Sequence, residues 1–237
     1  MYNFEIKNKS PDVGEIYIYG EITDEKWSDE QTTPKEILEK INTIKDKRNV
    51  YLYINSPGGS VYSGITIYNL LSRLSGSLTV VVDGIAASAA SVVAMAGKRI
   101  LMSAGSMMMI HEARSVAAGS SDDMRSAADV LDLCNSTISD IYVKRTMLEK
   151  SKMLELMKAE TWFDAESAVA NKFADAIEPG KKVSASLIGS DMDCNGIIFN
   201  TQKYKNFPKS SILIDYSEYE NALDINFLFT KLEEGVL

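Results

Sequence analysis

Between residues 15 and 110 the chain alternates short apolar runs with stretches of helical pattern, and this alternation limits the fold more than any other feature. EIYIYGEI (15–22), NVYLYIN (49–55) and SLTVVVDG (77–84) read as strands, and KRILMS and MMMIHEA are two further strand-like runs. The segments between them carry helical signals. Thr33 and Pro34 make an N-cap and first-turn pair for a helix over 33–46. A second helix is expected near 61–74 and a short one over 86–97. Strands regularly separated by helices call for parallel pairing, so the expected class is α/β.

Downstream, residues 120–150 read as one long helix. Ser120 and Asp123 form a variant of the capping box. Met124, Ala127, Leu131, Cys134, Ile138 and Ile141 then recur at steps of three and four, one apolar stripe. Such a narrow stripe serves packing within the domain, a contact between subunits, or each along a different part. Residues 156–177 read as a short strand or loop followed by a helix from Asp164. The chain therefore divides into a main domain, 1–180, and an extension, 181–237, of short mixed segments rich in Asn, Lys and Tyr.

Composition removes several function classes. With a net charge of −8 and no run of Lys or Arg, a nucleic-acid surface is not expected. No stretch approaches the ~18 apolar residues of a membrane span. The first twenty residues lack the basic start and apolar run of a signal peptide, so a cytoplasmic location is expected. Cys134 and Cys194 have no metal-like spacing, and the one histidine, His111, cannot make a histidine-rich metal site. Neither a zinc site nor a histidine-rich metal site is expected.

A single histidine also sharpens the search for chemistry. GIAASAAS (84–91) offers two serines one helical turn apart, Ser88 and Ser91. Ser88 falls in the expected first turn of a helix, where free N–H groups and the positive dipole end suit a developing oxyanion. Ser91, one turn deeper, can bond a carbonyl of the preceding turn. Close helix–sheet packing accounts equally well for a run of small residues. INSPGGS (54–60) joins a strand to a helix through Pro57 and two glycines, and its amides can serve an anion or simply close a turn. A serine nucleophile needs a base, and any imidazole base here must be His111.

YLYINSPGGS, GIAASAAS, MMMIHEA and ETWFDAESAVANKFADAI occur in the order found in the Clp protease proteolytic subunit family of serine peptidases. The chain resembles that family over roughly residues 14–178. The resemblance implies a crotonase-like fold of repeated β-β-α units and peptide-bond hydrolysis inside a chamber of rings, with no metal or organic cofactor. It puts the nucleophile on Ser88, the base on His111 and the acidic member on Glu160, with Asp164 the competing acid nearby. It puts the oxyanion donors on the backbone N–H groups of Gly59 and Ala89. The partners implied are a polypeptide substrate, further copies of the chain in heptameric rings that stack in pairs, and an ATP-driven unfoldase whose need is left open. The segment CNGIIFNTQKYKNFP resembles the region after the protease domain in phage and prophage members, which trim capsid or scaffold protein during head maturation.

Two rival classes stand beside this reading. One is an acyl-CoA hydratase or isomerase of the same fold, which uses an amide oxyanion hole without a Ser–His pair. The other is an inactive ring protein that kept the fold. A Ser–Lys dyad would have to use Lys98 or Lys144, and neither sits in a recognisable context for it.

Overall fold

The computed structural model describes residues 4–74, 76–182, 185–188, 190–194 and 196–208; the far part of the extension, 209–237, lies outside them. The chain opens with β1 (Phe4–Asn8), β2 (Val13–Tyr19), β3 (Glu21–Ile22), β4 (Gln31–Thr32) and α1 (Pro34–Ile41). Next come β5 (Asn49–Ser56), α2 (Val61–Leu71), β6 (Ser77–Ala87), α3 (Ala89–Ala94), β7 (Arg99–Ala104) and β8 (Met107–Ile110). Then follow α4 (Ser121–Thr146), α5 (Lys150–Lys158), β9 (Thr161–Asp164), α6 (Ala165–Ala170) and β10 (Ala176–Lys182). The extension adds β11 (Ala185–Ile188), β12 (Asp191–Cys194), β13 (Ile197–Asn200) and one 3-10 turn, Thr201–Lys203.

The architecture is the expected mixed α/β class, a central sheet with helices. The sheet runs β1-β2-β5-β6-β7-β10, and β2, β5, β6, β7 and β10 are joined in parallel. β6 forks. Its first half pairs β7 (Thr79↔Arg99 to Val82↔Met102), and its second half pairs β8 (Ile85↔Met107 to Ala87↔Met109). β5, β6 and β8 are thus parallel neighbours, and their C-terminal ends meet at one edge of the sheet. That edge is where open parallel sheets bind ligands. It receives the SPGG turn after β5, Ser88 after β6 and His111 after β8.

Local signals explain several helix starts. Thr33 and Glu36 form a reciprocal capping box at α1, as Ser120 and Asp123 do at α4. Asp164 caps α6 by accepting from Ser167 N–H. The main core lies between the sheet and the helices: Ile18, Leu52 and Val80 from strands meet Ile37, Ile67 and Val93 from helices, all fully buried. Among the described residues no helix is long and apolar enough to cross a membrane, and no group of three His, Cys, Asp or Glu could hold a metal.

Several expected boundaries are corrected. The run 15–22 is two strands, broken at Gly20, whose φ of +95° turns the chain. The helix expected over 33–46 ends at Ile41. β6 continues to Ala87, so the helix expected from 86 begins at Ala89 and Ser88 is its N-cap, outside the first turn. The long helix expected to 150 stops at Thr146, where Met147 adopts a left-handed conformation, and a separate helix, α5, follows. The apolar stripe on α4 divides: Cys134 and Ile138 are buried, whereas the helix before Leu131 is almost wholly solvent-facing.

The extension packs on the main domain through a second apolar cluster. Met192, Cys194, Phe199 and Phe207 meet Ile85, Ala87, Met107 and Met109 from β6 and β8. Gly84 sits at the fork of β6, and a Cβ there would stand 2.5 Å from Cys194 Sγ and 2.6 Å from Asn55 Oδ1. Only glycine lets the extension come this close. Asn55, fully buried, then joins the parts: its Nδ2 donates to Cys194 C=O at 2.7 Å and its Oδ1 accepts from Ile85 N–H at 3.2 Å.

Candidate active site

Ser88 leaves β6 on a sharp strand-to-helix turn with φ 55° and ψ −125°. A serine held there costs on the order of 1–3 kcal/mol and persists only when its surroundings enforce it. Here Ser88 N–H donates to Met109 C=O at 2.9 Å, extending the β6–β8 ladder by one bond. The turn presents Oγ to His111, whose Nε2 lies 2.7 Å away. Ser91, fully buried, turns inward. Its hydroxyl donates to Ser88 C=O at 2.6 Å and meets Tyr142 Oη at 2.8 Å. The two serines of GIAASAAS therefore differ: one faces the histidine and one is spent on packing.

His111 follows β8 directly and is partly buried. Burial is the main force lowering its pKa, to about 4; the Arg114 guanidinium adds to the fall, and Glu160 opposes it. The imidazole is therefore neutral at neutral pH and free to accept a proton. Its Nδ1 is buried and has no hydrogen-bond partner among the described residues.

β8 and β9 run antiparallel, with Ile110 opposite Thr161 and Met107 opposite Asp164. Continuing this register sets Glu160 across from His111. Asp164 lies four positions back along the ladder, about 14 Å away at ~3.4 Å per residue. Its carboxylate accepts from Ser167 N–H at 2.8 Å, and the Ser167 bonds hold its pKa down. Asp164 thus acts as a helix cap, away from the histidine.

The Glu160 side chain is nevertheless turned from the ring. Its backbone takes a φ of 50°. Oε2 accepts from Arg114 Nη2 at 2.5 Å, and Oε1 accepts from Asn206 N–H at 2.8 Å. Burial pushes the Glu160 pKa up, but the amides of Asn206 and Lys205 and the Arg114 cation outweigh it, leaving the carboxyl below its usual range. Of the four described non-glycine residues with positive φ, two, Ser88 and Glu160, stand at this site. The other two, Met147 and Lys172, lie at helix ends.

The SPGG turn closes over Ser88. A Cβ on Gly58 would stand 2.8 Å from Ser88 Cβ and 2.9 Å from Ala89 N, so only glycine permits this approach. Ala89 N–H opens α3, where no carbonyl of the helix itself can receive it. Gly58, Gly59, Ser88 and His111 line one cavity of about 430 Å³. Arg114 also lines it, together with residues between Gly20 and Gln31 and, from the extension, residues 197–200, Lys203 and Tyr204.

Three contributors were invisible in the sequence. Arg114, Asn206 and the extension strand β13 reach the site only through the fold. The sole hint at Arg114 was a cation three residues after the lone histidine. Gly58 belongs to the SPGG motif, but its contact with Ser88 arises only in the fold.

The chain matches the family model described as Clp protease over residues 3–180. It is 30% identical over 161 residues to the ATP-dependent Clp protease proteolytic subunit 2 of Tropheryma whipplei, covering 67% of this chain and 87% of that one. It is 33% identical over 141 residues to the ATP-dependent Clp protease proteolytic subunit of Deinococcus radiodurans, covering 58% and 68%. A third relative, the subunit of Ligilactobacillus salivarius, is 32% identical over 139 residues, 57% of this chain and 70% of the relative.

Proposed function

The chain belongs to the Clp protease family and is a serine-type endopeptidase, and from that premise we propose that Ser88, His111 and Glu160 are its nucleophile, base and acid. The observation that carries this is the 2.7 Å contact between Ser88 Oγ and His111 Nε2 on a strained turn. Ser88 Oγ attacks the peptide carbonyl as neutral His111 takes its proton at Nε2. Gly59 and Ala89 N–H groups receive the oxyanion, a contribution of about 3 kcal/mol per donor in a comparable site. His111 returns the proton to the leaving amine, and then activates the water that releases the acyl-enzyme.

For Nε2 to accept, the imidazole proton must reside on Nδ1. Glu160 is the acid across the β8–β9 register that can hold it there. In the catalytic state its carboxylate exchanges Arg114 for Nδ1–H and stabilises the imidazolium. The conformation with Glu160 on Arg114 is accordingly a resting one.

The substrate is a polypeptide, and the chain works as a ring of copies, heptameric and stackable in pairs. The exposed first half of α4, with Met124 38%, Val130 48% and Leu133 69% exposed, supports a role as the contact between copies. An ATP-driven unfoldase is the partner suggested by the relatives' description as ATP-dependent. Capsid or scaffold protein is the substrate suggested by the extension, and cleavage of a co-encoded capsid precursor tests it. For the chemistry, the test is His111→Ala: peptide cleavage should fall at least 10⁴-fold, and cleavage near the wild-type rate would refute the Ser–His scheme.

A further inference from the structure

Ile197, Ile198, Phe199 and Asn200 line the same cavity as Ser88 and His111. Successive residues of a strand point to opposite faces, so a surface that touches four in a row meets the strand along its edge. β13 has such an edge: it ends the three-stranded sheet β11-β12-β13 and, among the described residues, pairs with β12 alone.

The backbone groups on that edge follow from the register. Thr201 N–H donates to Ser190 C=O at 2.7 Å. Bonded pairs recur every second residue of an antiparallel ladder, which makes Met192–Phe199 and Cys194–Ile197 the bonded pairs. Ile198 and Asn200 therefore turn their N–H and C=O groups away from β12. An unpaired edge of this kind is a template for another extended chain.

Its position is fixed relative to the catalytic residues. Tyr204 Oη donates to Pro57 C=O, within the SPGG turn, at 3.1 Å, and Arg114 Nη1 donates to Lys203 C=O at 3.2 Å. The buried Asn55–Cys194 bond holds the neighbouring strand. Ile198 is 70% exposed and lines the cavity, so its side chain is accessible to a substrate side chain.

We propose that β13 is a substrate-binding strand: the polypeptide substrate lies extended along its free edge, bonded to the main chain of Ile198 and Asn200, with the scissile carbonyl delivered to Ser88. This rests on the serine-peptidase reading of the same cavity, to which the edge is continuous, and it makes the extension part of the enzyme's specificity machinery.

Ile198→Pro in the full chain tests it, because it removes one outward N–H without removing a β12–β13 bond, and proline is tolerated on edge strands. KM for a ten-residue peptide should rise about tenfold, while the rate of Ser88 labelling by a small fluorophosphonate stays at the wild-type value. Ile198→Ala, which keeps the N–H, should change KM by less than about threefold. An unchanged KM in the proline variant overturns the proposal. If that variant does not fold, hydrogen exchange in Ser88→Ala with the same peptide decides: slowed exchange at Ile198 and Asn200 supports it, and slowed exchange at Gly59 with none at β13 overturns it. Absence of label on wild-type Ser88 would instead bring down the peptidase reading beneath it.

Discussion

Arg114 holds the Glu160 carboxylate at 2.5 Å, while His111 Nδ1, buried nearby, has no hydrogen-bond partner among the described residues. In the proposed triad, cation and imidazole compete for one carboxylate. The outcome of that competition sets the charge state of the base, and it can be read from pH.

Burial and then Arg114 hold the His111 pKa at about 4, below the ordinary 6.5. The neutral, proton-accepting ring is fully populated above 6.5 and lost as pH falls through about 4. The acid limb of kcat/KM should therefore fall near pH 4. Arg114→Gln removes one lowering cause and releases Glu160, so the limb should move toward neutral pH. A pH–rate profile of the variant checks the direction; a limb that stays or moves down contradicts it. The same depressed pKa links to folding. The unfolded state binds more protons between pH 4 and 6.5, so the stability contributed by neutral His111 is present above 6.5 and declines as pH drops through that window.

Glu160→Gln should lower kcat by at least ~10² while leaving fluorophosphonate access to Ser88 open, because an amide cannot stabilise the imidazolium and can hold the wrong tautomer. Glu160→Asp, one methylene shorter, should recover part of the loss. If the glutamine variant keeps full kcat, Glu160 has no role in the reaction.

Asp164→Ala should behave in the opposite way. Removing the α6 cap costs about 1 kcal/mol of stability, visible as a lower denaturation midpoint. The register sets Asp164 four residues from the histidine's level, so kcat should stay within about twofold. A large loss of kcat at unchanged stability would reinstate it as the acid.

Gly84→Ala should loosen the extension, since the new methyl would collide with Cys194 Sγ and Asn55 Oδ1. Limited proteolysis should then cut within residues 190–208 faster than in the wild type. Equal protection would show that this close approach is not what seats the extension.

What could be read from the sequence was mostly local. The caps at Thr33, Ser120 and Asp164 satisfy their own helix starts, so their partners lie three residues away. The unreadable parts are set by contacts distant in sequence. β6 runs on to Ala87 and forces Ser88 to positive φ because β8 pairs with its second half, a tertiary demand that overrides the helical pattern of AASAAS. The break at Met147 carries no glycine to announce it, so the sequence pattern runs on to 150 and gives no separate signal for α5. The extension's place depends on Asn55 and Cys194, 139 residues apart. Resemblance could locate Glu160, but its capture by Arg114 and Asn206 exists only in the folded chain.

Ser88, and not Ser91, is the proposed nucleophile. Labelling the full protein with a fluorophosphonate probe and mapping the modified peptide tests it most directly. Ser88, partly accessible and 2.7 Å from His111 Nε2, should carry the label, and His111→Ala should abolish it. Label on buried Ser91, or on neither serine, would contradict that assignment.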